Sequence, residues 1–141
     1  MTVLDASMAL AWLFPRLEPS EASLADRMLD EIEREEFLVP AVWYSEVSNA
    51  LVRGERRGFV NAVQTAEFLA ELAAAGIEAD TDHPRLRQMA IITLAKTHAL
   101  TAYDATYLEL ALRFGARLAT FDGKLAEAAR QAGVPVFGDA P

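Results

Sequence analysis

Cysteine is absent from the 141 residues, which excludes disulfides and thiolate metal sites and fits a reducing cytosol. Histidine is nearly absent, with only His83 and His98, so no His/Cys spacing suited to zinc exists. Long apolar runs are missing as well: charge interrupts each one well before the ~20 residues a membrane span needs. The start, Met1-Thr2-Val3-Leu4-Asp5, has no basic segment leading into an apolar run, so no signal peptide is visible. A soluble, cytoplasmic protein with no membrane contact is expected. Positive charge is scarce, with 13 Lys and Arg against 21 Asp and Glu and a net charge of −8. Phosphate neutralisation supplies most of a nucleic-acid binder's affinity, so this balance argues against a simple binding module. It leaves room for an enzyme whose acids hold divalent cations, because bound metal inverts the local field. It also leaves room for a basic protein partner.

Core material is plentiful. Hydrophobic residues make up 52% of the chain, and a chain of this length can bury roughly two-thirds of its unfolded surface. No repeat, low-complexity tract or linker interrupts it, so residues 1–141 are expected to form one domain.

Short apolar runs alternate with helical patterns. Val3-Leu4 reads as a strand, Met8 to Phe14 as a short helix, and Pro15 to Pro19 as a break. Ser20 is a plausible N-cap for a helix carrying Leu24, Met28, Leu29 and Ile32 on one face. Phe37-Leu38-Val39 is a second strand, closed by Pro40. Helices from Val42 to Arg57 and from Asn61 to Ala75 form a hairpin around Gly58. Ile77 to Ala79 suggests a third strand, and Pro84 opens a helix reaching Lys96. A helix from Thr101 ends before Gly115, Arg117 to Phe121 is a strand, and Gly123 to Ala132 is a helix. Val134 to Phe137 reads as a last short strand. The alternation implies right-handed crossovers and an α/β fold: a short, mostly parallel sheet flanked by helices, with the helical hairpin inserted.

Four acids stand out. Asp5 and Asp122 each follow a strand and precede a helix, which places them at the carboxyl edge where open parallel sheets bind ligands. Each has a hydroxyl two residues away, Ser7 and Thr120. Either acid alone also reads as an N-cap. Asp104 falls on the core-facing stripe of its helix beside Tyr107, Leu108 and Ala111, where a lone carboxylate is costly. Thr101-Ala102-Tyr103-Asp104 also fits a capping box, with Asp104 bonding back to the Thr101 amide. Glu46 sits at the edge of the arc formed by Trp43, Val47, Ala50 and Leu51, with Asn49 close by, and alone it reads as a solvated boundary residue. Taken together, four carboxylates on one sheet edge would repel one another unless a cation joined them. Oxygen-only ligands suit Mg²⁺ or Mn²⁺. Such a site activates water and steadies charge on a phosphodiester, which makes phosphodiester hydrolysis the expected reaction.

The segments around these acids are Val3-Leu4-Asp5-Ala6-Ser7, Pro40 to Leu51, Leu100 to Ala111 and Leu118 to Leu125. In that order, across the whole chain, they resemble the PIN-domain nucleases, and most closely the VapC-type toxins of bacterial toxin–antitoxin pairs. The resemblance implies that Asp5, Glu46, Asp104 and Asp122 ligate Mg²⁺ or Mn²⁺. It implies that Ser7, Thr120 and Asn49 support them from behind. It further implies an RNA substrate, a homodimer and a cognate antitoxin that reaches into the acidic groove. A PIN-type RNA-processing nuclease without a toxin role is the alternative. A receiver-like domain fits less well, since Asp5 has no acid two residues later and no lysine follows a strand as a receiver requires.

Arg53, Arg56 and Arg57 form the densest basic cluster. Arg53, seven residues after Glu46, is a candidate RNA contact, though a solvated helix end favourable to the helix dipole is the simpler explanation of the cluster. Lys124 stands beside Asp122 with the same two readings. Trp12, Phe14, Trp43, Phe59 and Phe68 read as core or interface, and both histidines as loop or cap residues.

Overall fold

The structure, a computed structural model, describes residues 1–141. Four three-residue strands form its centre: β1 (Thr2–Leu4), β2 (Phe37–Val39), β3 (Ile77–Ala79) and β4 (Arg117–Ala119). They lie in the order β3-β2-β1-β4, and every pair is parallel. All residues of β1 and β2 are buried. Successive strand side chains point to opposite faces, so both faces of the central sheet are covered, as a parallel sheet requires. β3, at the edge, is half-buried to exposed. Leu4, Leu118 and Val39 are fully buried, and each such side chain stabilises the fold by about 1.5–3 kcal/mol.

Helices α1 (Ala6–Leu10), α2 (Pro19–Glu31), α3 (Val42–Arg56), α4 (Ala62–Ala74), α5 (Gln88–His98), α6 (Ala102–Phe114) and α7 (Gly123–Gln131) make the connections. The α3–α4 hairpin turns at Gly58, whose φ of +75° suits only a residue without a side chain. A reciprocal Asn61–Gln64 capping box starts α4. Gly54 of α3 is buried against Phe14, and a Cβ there would lie 2.7 Å from Phe14 Cζ. Trp43 and Phe68 join the core, Trp12 and Phe14 pack partly against it, and Phe59 is 69% exposed.

Several expected boundaries move. The first helix starts at Ala6 rather than Met8, then loosens into successive turns through Phe14. Ser20 does not cap α2: Pro19 takes the first turn and Glu18 precedes it without a side-chain cap, since proline needs no amide partner there. The expected Pro84–Lys96 helix splits into a single 3₁₀ turn, Pro84–Leu86, and α5, joined at Arg87. His83 caps that turn, its Nδ1 accepting from the Arg85 amide. β4 stops at Ala119 rather than Phe121, and the final run yields only one bridge, Leu118 to Val136.

Candidate active site

The site lies at the carboxyl edge of β1 and β4. These strands pair with Leu4 opposite Ala119, and the Asp5 amide donates to the Ala119 carbonyl at 3.0 Å. Asp5 and Thr120 are therefore neighbours in space. The Thr120 hydroxyl donates to Asp5 Oδ2 at 2.6 Å, and the Ser7 hydroxyl donates to the same oxygen at 2.6 Å. The two hydroxyl oxygens are themselves braced, Ser7 Oγ by the Phe121 amide and Thr120 Oγ1 by the Asp122 amide, each at 2.9 Å. Asp5 precedes α1 but makes no capping bond to it. The capping reading of Asp5 is not realised: its carboxylate is held by two side-chain hydroxyls, Ser7 of α1 and Thr120 beyond β4, rather than by the helix amides.

Asp122 does cap its helix, Oδ1 accepting from the Leu125 amide at 2.9 Å. Asp104 lies in the first turn of α6. Thr101 caps that turn by accepting from the Asp104 amide, but the return bond of a capping box is not formed. Because a tight turn at Gly115 sends α6 directly into β4, the helix runs against the strand and its start lies toward the same sheet edge. Glu46 lies in the second turn of α3, which begins just beyond the end of β2. The Tyr107 hydroxyl, on a fully buried residue one turn after Asp104, donates to Glu46 Oε1 at 3.3 Å.

Electrostatics ties the four acids together. Burial pushes the Asp5 carboxyl above its ordinary range, its two hydroxyl donors oppose that, and the charge of Asp104 adds to it. Glu46 is raised to about 7 by burial and by the charges of Asp5 and Asp104. Asp104 is raised by burial and by Asp122. Burial and the charges of Asp5 and Glu46 also raise Tyr107, so it stays a neutral donor. None of the four acids takes part in an ion pair, whereas Asp80, Asp82, Glu109, Glu31, Glu35 and Asp139 all pair with arginine. An acid left unpaired beside other acids favours either a proton or a cation.

The donor set is all oxygen, which fits a hard divalent cation in kind. As placed, no three carboxylates or imidazoles converge closely enough to hold one, so side-chain rotation toward the ion would complete the cage. Asn49 is exposed and bonds to none of the acids. Arg53, Arg56, Arg57 and Lys124 are exposed. The sequence pattern used Tyr107 only as a marker of the helix face; its place on that face, three residues after Asp104, was the available signal for its contact with Glu46.

Known proteins with the same pattern exist. The family model described as PIN domain matches residues 2–131. Ribonuclease VapC3 of Pyrobaculum aerophilum is 34% identical over 127 residues, covering 89% of this chain and 92% of that protein. Among solved structures, PAE2754 from Pyrobaculum aerophilum matches with a TM-score of 0.69 at 23% identity over 90% of this chain and 83% of its own. FitAcB from Neisseria gonorrhoeae matches with a TM-score of 0.64 at 20% identity over 98% of this chain and 97% of its own. These two likenesses concern the fold. The chain belongs to the PIN-domain family and, within it, to the VapC-type proteins.

Proposed function

We propose that this protein is a divalent-metal-dependent endoribonuclease and the toxin of a toxin–antitoxin pair. The observation that carries the reading is the set of unpaired, mutually coupled acids at one sheet edge, Asp5, Glu46, Asp104 and Asp122. In this reading the four carboxylates hold Mg²⁺ or Mn²⁺. When bound, such an ion supplies an activated water and charge neutralisation for hydrolysis of a phosphodiester. Ser7 and Thr120 fix Asp5 by holding Oδ2, which leaves Oδ1 available. Tyr107 orients Glu46. Asp122 uses one oxygen as a cap and keeps the other for the site. Arg53, exposed beyond Glu46 on α3, meets the substrate from the rim.

The substrate class follows from likeness to a protein named as a ribonuclease. A cognate antitoxin and a homodimer belong to the same reading. No helix is long and apolar enough to cross a membrane, which is compatible with action in the cytoplasm. The dimer finds support in α5, which buries no residue in the single chain. Met89 (73% exposed) and Leu86 (67%) leave an apolar face beside it.

The test is cleavage of an RNA panel with Mg²⁺ or Mn²⁺, with EDTA, and with Asp5→Ala or Asp104→Ala. Chelation and either substitution are expected to reduce cleavage by more than about a hundredfold, the upper end of what loss of a mere supporting residue costs a metal site. Activity that survives chelation overturns the metal mechanism. Growth arrest on expression, relieved by co-expression of a small adjacent gene, separates a toxin from an RNA-processing nuclease.

A further inference from the structure

A groove runs between α2 and the β4–α7 loop. Ser20, Ser23 and Arg27 line one wall, and Thr120, Phe121 and Asp122 line the other. The second wall adjoins the acid site, since Thr120 holds Asp5 and Asp122 is one of the four carboxylates. Six of the eleven lining residues carry polar or charged side chains, and the carboxylate among those on α2, Glu21, is already paired with Arg16.

Arg27 is the exposed cation of this channel. It enters no ion pair, unlike Arg16, the cation that stacks on Phe121 of the opposite wall and is held by Glu21. Its guanidinium rests 5.5 Å from the Phe137 ring centroid, which steadies the side chain while leaving its N–H donors unclaimed. Across the channel, the Phe121 ring is backed by Arg16 at 4.5 Å, and Arg16 is fixed by Glu21 at 2.8 Å. A polyanion that must approach four carboxylates on a chain of net charge −8 needs a cationic foothold nearby.

We propose that this groove carries the RNA strand on one side of the scissile phosphate, with Arg27 as a phosphate contact and the Ser20 and Ser23 hydroxyls as auxiliary donors. The inference rests on the ribonuclease reading and adds to it where the substrate lies. A phosphate contact positions the strand without reading its sequence, so its loss weakens every substrate alike.

The experiment is steady-state cleavage, with Mg²⁺, of single-stranded oligonucleotides that the wild-type protein cleaves. Arg27→Gln is expected to raise KM about tenfold with kcat within about twofold, and to reduce the slope of log affinity against log salt by about one. Arg27→Lys keeps the charge and recovers both KM and the salt slope, the second of which a purely structural stack on Phe137 would not move. Arg34→Gln, an exposed cation outside the groove, leaves KM unchanged. An Arg27→Gln protein with wild-type KM and salt slope, or one that Lys fails to rescue, overturns the groove assignment alone. A wild-type protein that cleaves no RNA overturns the ribonuclease reading and this inference with it.

Discussion

Glu46 holds its proton to about pH 7 in the folded protein, against an ordinary 4.5. Between those values the folded state binds a proton that the unfolded chain has released, so metal-free stability falls as pH rises from about 4.5 to about 7 and then levels. Melting in EDTA across that range is expected to show the fall, and Glu46→Gln to reduce it, with Asp5 and Asp104, also raised, keeping the remainder. A Gln variant with an unchanged profile would place the proton elsewhere. Mg²⁺ should reverse the trend, because ligation needs the ionised carboxylate. Tyr107 acts on the same group: its hydrogen bond lowers the Glu46 pKa. Tyr107→Phe should therefore move the step to higher pH and weaken metal binding by about tenfold. That is the low end for a supporting residue, as the 3.3 Å bond is long. Titration calorimetry with Mn²⁺ reads the affinity directly.

At the scale of elements, the four acids separate. Asp122 caps α7, so Asp122→Ala is expected to cost about 1 kcal/mol of stability in EDTA, while Asp122→Asn keeps the cap and costs little. Asp104 forms no carboxylate cap, and Asp104→Asn relieves repulsion from Asp122, so it should leave metal-free stability unchanged or raise it. Both asparagine variants should lose activity. Denaturant melts of the three proteins give the comparison, and a large destabilisation by Asp104→Asn would mark that residue as structural. On the far side of α6, Arg113 joins Asp80, Asp82 and Glu109. Those acids are neutralised, which is why they stand apart from the site.

For the whole molecule, the exposed apolar side chains of the 3₁₀ turn, α5 and the end of α6 are the largest loose end. Leu86, Met89, Ile92, Leu112 and Phe114 are each more than 40% exposed. Exposed apolar side chains on the packed pair α5 and α6 make this face the candidate for the proposed homodimer contact. A homodimer through this face predicts a dimeric mass by light scattering and a monomer for Met89→Glu at the same concentration. A Met89→Glu protein that stays dimeric would move the contact elsewhere.

The order of residues carried the alternation of strands and helices, the parallel sheet and the hairpin at Gly58, and it singled out the four acids as candidates. Periodicity, prolines, glycines and strand-end positions are local properties, so these were legible residue by residue. Helix starts were less so: Ser20 and Pro19 both suit a first turn, and packing chose the proline. Capping was equally undecided for Asp5, Asp104 and Asp122, which share the same local chemistry. Tertiary structure decided it, by pairing Leu4 with Ala119 so that Thr120 reaches Asp5, and by leaving the Asp122 carboxylate to its own helix. The Tyr107–Glu46 contact and the Arg27 groove were also invisible beforehand, because each joins segments far apart in the chain, and no local pattern encodes which distant side chain will arrive.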